Sequence, residues 1–292
     1  LTLKFLGDVS EDRIESMEAT VITLEMEPAA VELIDSMIIR QARTNLEYAR
    51  MMDFIDGDPE ALLLVEFAGD TESQLNSSLD KLEERMQRKS LGYAMRRIIS
   101  PEEQTKVWAV RKAGLGLMMS TPSTAKPLPF VEDTAVAPEK LRDFIERFIQ
   151  IIDRHGTTAG IYAHASVGCL HVRPVVNMKT ADGVRTFETI ANEIANLVLE
   201  FGGALSGEHG DGLVRGPFME RMFGRTLYDA FRTVKQTFDP DGLFNPGKIV
   251  NTPPIATNLR YGPHYQTPVP DTVFDHSVYG GFGRAVEMCS GV

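Results

Sequence analysis

The sequence is short of cysteine, of basic charge and of long apolar runs, and each shortage excludes something. Only Cys169 and Cys289 occur among 292 residues, too few for a disulfide framework and in keeping with a reducing compartment. Basic residues number 30 against 41 acidic ones, a net charge of −11. Such a surface repels phosphate backbones and anionic lipid, which disfavours nucleic acid or a membrane surface as the main partner. The longest apolar runs, such as Ala61-Leu62-Leu63-Leu64-Val65, fall far below the roughly 20 residues of a membrane-spanning helix. The chain opens on Leu1-Thr2-Leu3 with neither Met nor a secretory pattern and reads as part of a longer protein. The expected location is cytoplasmic, peripheral to a membrane at most.

Short β-rich runs alternate with longer helix-like windows, so mixed α and β layers are expected. Strands are predicted at 20–25, 61–67, 93–99 and 128–135, with a closely spaced pair at 160–166 and 169–175. Helices are predicted from Pro28 to about residue 52, from Asp70-Thr71 to about 88, and from Ser100-Pro101-Glu102-Glu103 onward. The last is a strong start: Ser at the N-cap, Pro at N1 and Glu at N3. Pro138 opens a further helix whose Leu141, Phe144, Ile145, Phe148 and Ile152 follow the 3.6-residue period. Others follow at about 184–201 and 224–237. The fold class is α+β, an antiparallel ferredoxin-like sheet with helices packed on one face plus a C-terminal helical segment. Residues 251–292 lack periodicity and carry many Pro and Gly.

Val167-Gly168 reads as a two-residue turn, which sets Ser166 opposite Cys169, Ala165 opposite Leu170 and His164 opposite His171. One face then collects Ile161, Ala163, Ala165, Leu170 and Val172. The other collects Tyr162, His164, Ser166, Cys169, His171 and Arg173. Opposed residues have Cβ atoms about 4.5–5.5 Å apart, close enough for two imidazoles to share one metal ion. Two readings stand: satisfied polar residues on a half-exposed sheet, or two ligands in need of a third, for which the carboxylate of Glu208 is the best candidate. Glu208 and His209 lie in Gly207-Glu208-His209-Gly210-Asp211-Gly212, where glycines permit sharp turns and a neutral imidazole is suited to general-base work. A plain surface loop is the alternative. The glycine spacing is not that of a dinucleotide-binding fingerprint.

Val107-Trp108-Ala109-Val110-Arg111-Lys112-Ala113-Gly114, Phe130-Val131-Glu132-Asp133, the two-His hairpin, residues 207–212 and Phe244-Asn245-Pro246-Gly247-Lys248-Ile249 follow one another in order. Together they resemble the C-terminal half of the FAD-linked oxidases related to vanillyl-alcohol oxidase, in the branch of D-lactate and D-2-hydroxyglutarate dehydrogenases and the glycolate oxidase flavin subunit. The resemblance implies an FAD enzyme that oxidises a D-2-hydroxy acid to the 2-oxo acid. It implies His164, His171 and Glu208 as ligands of zinc or manganese and His209 as the base taking the hydroxyl proton. It implies Arg111 and Lys126 on the substrate carboxylate, Arg173 on a distal carboxylate and Asn245 beside the flavin. An Arg on a helix is otherwise an ordinary surface charge, and Asn245-Pro246 an ordinary turn. The branch that acts on 2-hydroxyglutarate carries Asn where Arg173 stands here, which leaves the substrate open.

Residues 1–203 are then expected to form the cap, or substrate, domain. Residues 204–250 would pack on an N-terminal FAD domain, and 251–292 would lead toward an iron–sulfur domain with Cys289 as a stranded cluster ligand. The iron–sulfur partner, rather than NAD, would take the electrons. Pocket walls left uncovered could pair two copies as a homodimer. A different class of reading is a non-catalytic metal-binding or assembly module on the same fold.

Overall fold

The computed structural model describes residues 2–9, 13–121, 123–267 and 269–288. In chain order it contains β1 (Thr2–Val9), α1 (Arg13–Leu24), β2 (Ala30–Asp35), α2 (Ser36–Thr44), α3 (Leu46–Ala49), β3 (Ala61–Ala68), α4 (Glu72–Lys89), β4 (Ala94–Ile98) and α5 (Pro101–Met119). Then come β5 (Lys126–Pro127), β6 (Thr134–Ala135), α6 (Leu141–Arg154), β7 (Ala159–His164), β8 (Cys169–Val176), α7 (Ala181–Glu200), α8 (Met219–Phe238) and α9 (Phe282–Glu287). Strands line up as β4-β1-β3-β2-β7-β8-β5, with β6 also on β8, and every pairing is antiparallel. The β4-β1-β3-β2 half, with α1 and α4 as its crossovers, is the expected ferredoxin-like unit. The β7–β8 hairpin widens that sheet.

One face of the sheet packs on α1, α4, α6 and α7 around Met17, Leu33, Leu63, Phe144, Phe148 and Ile194. The other face is not bare, as a one-sided packing would leave it. There α2 and α5 cover Ile34, Leu62, Leu64 and Ile98 with Ile38, Ile39, Val107, Val110 and Met118. The unbroken apolar run of β3 is the reason: Leu63 and Val65 serve one layer while Leu62 and Leu64 serve the other, as in any strand buried on both sides. Among the described residues no helix is long and apolar enough to cross a membrane.

Residues 20–25 and 28–52 depart from expectation. Thr20 and Thr23 lie in α1, not in a strand; their hydroxyls donate to the carbonyls of Ser16 (2.9 Å) and Ala19 (2.7 Å). That back-bonding, together with packing of Met17 and Ala19, overrides β propensity. The helix expected from Pro28 begins only at Ser36. Residues 30–35 form β2 instead, with Val31 and Leu33 in one core and Ile34 in the other, a period of two rather than 3.6. Asp35 ends the strand and caps α2, accepting from the amides of Ile38 (3.2 Å) and Ile161 (2.7 Å). Of the strand expected at 128–135 only Thr134–Ala135 pairs, with Leu170 and Cys169 of β8; the residues before it turn, and Asp133 takes a left-handed backbone, φ +68°.

Candidate active site

The β7–β8 hairpin pairs Tyr162 with His171, Ala163 with Leu170 and His164 with Cys169. This register is shifted by two residues from the expected one, since Ala165–Val167 form a 3-10 turn closed by left-handed Gly168. A shift of two preserves the alternation of faces, so His164 and His171 still share a face, now diagonally, with ring centroids 5.1 Å apart. His171 is 1% exposed. Its ring is stacked between Tyr162 at 4.5 Å and His209 at 5.2 Å. Burial, and then the neighbouring His164 and His209, push its pKa down to about 3, so the imidazole is neutral. Its Nδ1 has no hydrogen-bond partner among the described residues, and the polar neighbour of its Nε2 is a carboxylate oxygen of Glu208.

The glycine-rich loop brings Glu208 over these rings. Glu208 Oε1 lies 3.4 Å from His164 Nε2, 3.1 Å from His171 Nε2 and 3.3 Å from His209 Nε2. Three imidazole nitrogens thus converge on one carboxylate oxygen. The loop is seated by Asp133, whose Oδ1 accepts from the amide of Glu208 (3.0 Å) and whose Oδ2 accepts from that of His209 (2.9 Å) and from the Ser206 hydroxyl (2.6 Å). Burial opposes the Asp133 charge, yet these donors hold its carboxyl below the usual range. Gly207 must approach closely: a Cβ there would sit 3.1 Å from Cys169 Sγ and 3.2 Å from Ala135 Cβ.

Beneath His164 lies Glu32, from β2. Its Oε1 is 2.8 Å from His164 Nδ1, and its Oε2 accepts from Arg111 Nε (3.1 Å) and Nη2 (2.7 Å). The hydrogen bond to Glu32 raises the His164 pKa against the effect of burial. Arg111, from α5, also lies over the Tyr162 ring at 4.9 Å. A carboxylate at Nδ1 favours the tautomer with Nδ1–H, so that in the neutral ring Nε2, which faces Glu208, is the acceptor.

The model of the family described as FAD linked oxidases, C-terminal domain, matches residues 12–249. The chain belongs to that family. It is 35% identical over 239 residues to the D-2-hydroxyglutarate dehydrogenase of Pantoea ananatis, covering 78% of this chain and 23% of that protein. It is 34% identical over 256 residues to the enzyme of the same name from Escherichia coli K12, covering 84% and 25%. Against glycolate oxidase subunit GlcD of Bacillus subtilis the identity is 24% over 229 residues, covering 78% and 46%. The domain therefore spans about a quarter of the length of the D-2-hydroxyglutarate dehydrogenases it matches. Its fold is also that of p-cresol methylhydroxylase with substrate bound, at a TM-score of 0.59 and 11% identity over 86% of this chain and 53% of that one.

Within this FAD-linked oxidase domain the remaining sequence-derived residues are not all gathered at the imidazoles. Arg173 is 6% exposed and its Nε lies 2.6 Å from Glu132 Oε2. It thus faces a protein carboxylate where a distal substrate carboxylate was expected. Burial raises the Glu132 pKa despite the pull of Arg173, and Glu132 Oε1 is 3.7 Å from His209 Nδ1. Lys126 donates to the Thr121 carbonyl at 2.6 Å and lines a separate, largely apolar cavity of about 520 Å³ with Phe130, Lys179, Tyr261 and Glu287. Burial lowers its pKa. Asn245 sits in an exposed turn at φ +46°, accepting from Lys248 Nζ at 3.3 Å. The Ile249 amide ties that turn to the Gly212 carbonyl at 2.9 Å. Cys289 lies outside the described residues.

Sequence reasoning missed Glu32 and left Asp133 and Glu132 without roles. The signal for Glu32 was present as a lone carboxylate in an alternating apolar run, Ala30-Val31-Glu32-Leu33-Ile34, but a helical reading of that run hid which face it occupies.

Proposed function

We propose that this domain is the substrate-side part of an FAD- and metal-dependent dehydrogenase that oxidises a D-2-hydroxy acid to the 2-oxo acid, hydride passing to the flavin. The observation that carries it is the convergence of three imidazole nitrogens, one of them from the buried, neutral His171, on one oxygen of Glu208. Three imidazole nitrogens cannot all be satisfied by one carboxylate oxygen, which leaves buried polar groups short of partners, and two His with a carboxylate suit zinc or manganese. His164, His171 and Glu208 would hold that ion, Glu32 fixing the tautomer of the first. The ion would supply Lewis-acid polarisation of the substrate hydroxyl and the flavin a hydride-accepting capacity toward C2.

The residues of this chain do the rest. His209, 43% exposed at its side chain, takes the hydroxyl proton at Nε2, while its Nδ1 faces Glu132. Arg111 gives one edge of its guanidinium to Glu32 and keeps Nη1 for the C1 carboxylate. Tyr162, with its ring against Arg111 and His171, walls the site. Lys126 would reach the carboxylate only by leaving the Thr121 carbonyl, and Arg173 would reach a distal one only by leaving Glu132. Asn245 would lie beside the flavin ring. In α8, beyond a break at Gly224 (φ +74°), Leu227, Val234 and Phe238 are exposed at helical spacing, a face suited to an N-terminal FAD domain; residues 251–292 would lead on toward an iron–sulfur partner. Co-expression of this chain with its parent N-terminal segment tests the reading. A yellow complex bleached anaerobically by D-2-hydroxyglutarate or D-lactate is expected; a colourless one, or one that no 2-hydroxy acid bleaches, overturns it.

A further inference from the structure

We propose that Asp133 is the positioning residue of this centre: its carboxylate aims the Glu208–His209 backbone at the two strand histidines and takes no place among the ligands of the ion. The inference rests on the reading of His164, His171 and Glu208 as ligands given above.

An Asp133 oxygen, a His171 nitrogen, a Glu208 oxygen and a His209 nitrogen all lie within 4.8 Å of one another, so proximity alone would make Asp133 a ligand. Its hydrogen bonds decide otherwise. A carboxylate offers about four lone-pair sites. Oδ1 accepts from the Glu208 amide at 3.0 Å and from Cys169 Sγ at 3.4 Å. Oδ2 accepts from the Ser206 hydroxyl at 2.6 Å and the His209 amide at 2.9 Å. All four sites are taken, and an ion could bind only by displacing one donor. His171 is the opposite case, nearly as buried, with Nδ1 unpartnered and Nε2 facing only the Glu208 oxygen that two other imidazoles also approach. The one group is satisfied by protein and the other is not.

The backbone of Asp133 is fixed as firmly as its side chain. Its amide donates to the Leu170 carbonyl at 2.7 Å, on the strand that carries His171, and its carbonyl accepts from Gly207 at 2.7 Å. The φ of +68° is a conformation that Asp adopts more readily than most residues. Two successive amides on one carboxylate fix the peptide plane between Glu208 and His209, and with it the directions in which both side chains leave the loop. Asp133 is 0% exposed, so water does not compete for these bonds. Cys169 completes the tie, its buried thiol donating to Asp133 Oδ1. One carboxylate thus joins the strand bearing His171 to the loop bearing Glu208 and His209.

Amide hydrogen exchange resolved at Glu208 and His209, with and without Co²⁺ on the full chain, tests this. Asp133→Asn keeps the shape and tolerates the left-handed backbone, but replaces an acceptor oxygen with an NH₂ facing N–H donors. Both amides should exchange at least about tenfold faster in the variant, while peptides from 159–176 keep their protection. The Co²⁺ dissociation constant should rise about 10–100-fold. In the wild type the protection should already be present without metal and survive Co²⁺. Unchanged exchange in Asp133→Asn overturns the proposal. So does Co²⁺ that accelerates these amides in the wild type, because it would mean the carboxylate had left them for the ion. Should Asp133→Asn fail to fold, Ser206→Ala carries the test: it strips one donor from Oδ2, and His209 exchange must change for the proposal to stand. A wild type that takes up no Co²⁺, with amides still freed by Asp133→Asn, would sink the ion reading and leave the positioning role intact.

Discussion

Glu32 Oε1 sits 2.8 Å from His164 Nδ1, so a carboxylate on one strand favours the proton on Nδ1 of an imidazole on the next strand and makes Nε2 the acceptor of the neutral ring. The same carboxylate anchors Arg111, which couples the proposed ion site to the proposed substrate anchor. Glu32→Gln removes the charge and keeps the shape. Zinc affinity, measured by competition with a chromophoric chelator, should fall about 10–100-fold. An affinity unchanged within error would show that Glu32 serves Arg111 alone.

His209 and His171 should separate by metal content. His171 is enclosed between Tyr162 and His209 with its Nε2 on Glu208, whereas His209 is open to solvent. Elemental analysis after chelation and zinc reloading should show one ion per chain in the wild type and in His209→Ala, and none in His171→Ala. In the intact enzyme both variants should lose turnover, by about 10²–10⁴-fold for removal of a general base. Equal metal loss in the two would make His209 a ligand and leave the base unassigned.

The legible parts of the fold were those where one local rule dominates. Ser100 caps α5 as expected, its hydroxyl accepting from the Glu103 amide at 3.2 Å; the Ala61–Ala68 strand and the Leu141–Arg154 helix were equally plain. The hairpin shows what pattern can and cannot deliver. Alternation alone placed Tyr162, His164, His171 and Arg173 on one face, and that survives a register shift of two, whereas the partner of each residue does not. Residues 30–35 were illegible for the opposite reason. A six-residue strand followed at once by a helix averages to a helix-like window, and the boundary is set by Asp35 bonding Ile161, 126 positions away. The roles of Asp133 and of the Glu132–Arg173 pair depend on contacts of the same long-range kind.

Arg173 and Glu132 form a pair buried on both sides, at 7% and 6% side-chain exposure. Removing one partner strands the other, which typically costs about 3–5 kcal/mol. Arg173→Met and Glu132→Leu should each lower urea stability by that order, and the double variant should recover much of the loss because no lone charge remains. Two losses that simply add would show the pair to be uncoupled. A double variant that still turns over a 2-hydroxy diacid in the intact enzyme would show that Arg173 holds no distal carboxylate.

Gly168 sets the register that places His164 diagonally to His171. Its φ is +70°, and a Cβ there would overlap the Val136 carbonyl oxygen, which is backbone and cannot swing aside. Gly156, at the end of α6, has a similar φ of +65°, but a Cβ there would meet nothing within 4 Å. Gly156→Ala should therefore cost only the left-handed term, about 1–2 kcal/mol, and leave metal binding alone. Gly168→Ala should cost that plus about 1–3 kcal/mol of overpacking. It should also weaken zinc binding, because relief of the overlap must move the turn and hence the strand ends carrying His164 and Cys169. Denaturant melts and zinc competition on the two variants make the comparison. Equal stability losses would show that Val136 yields readily. A Gly168→Ala chain that is less stable yet binds zinc as before would mean that the two imidazoles are held by Glu32 and Asp133 rather than by the turn.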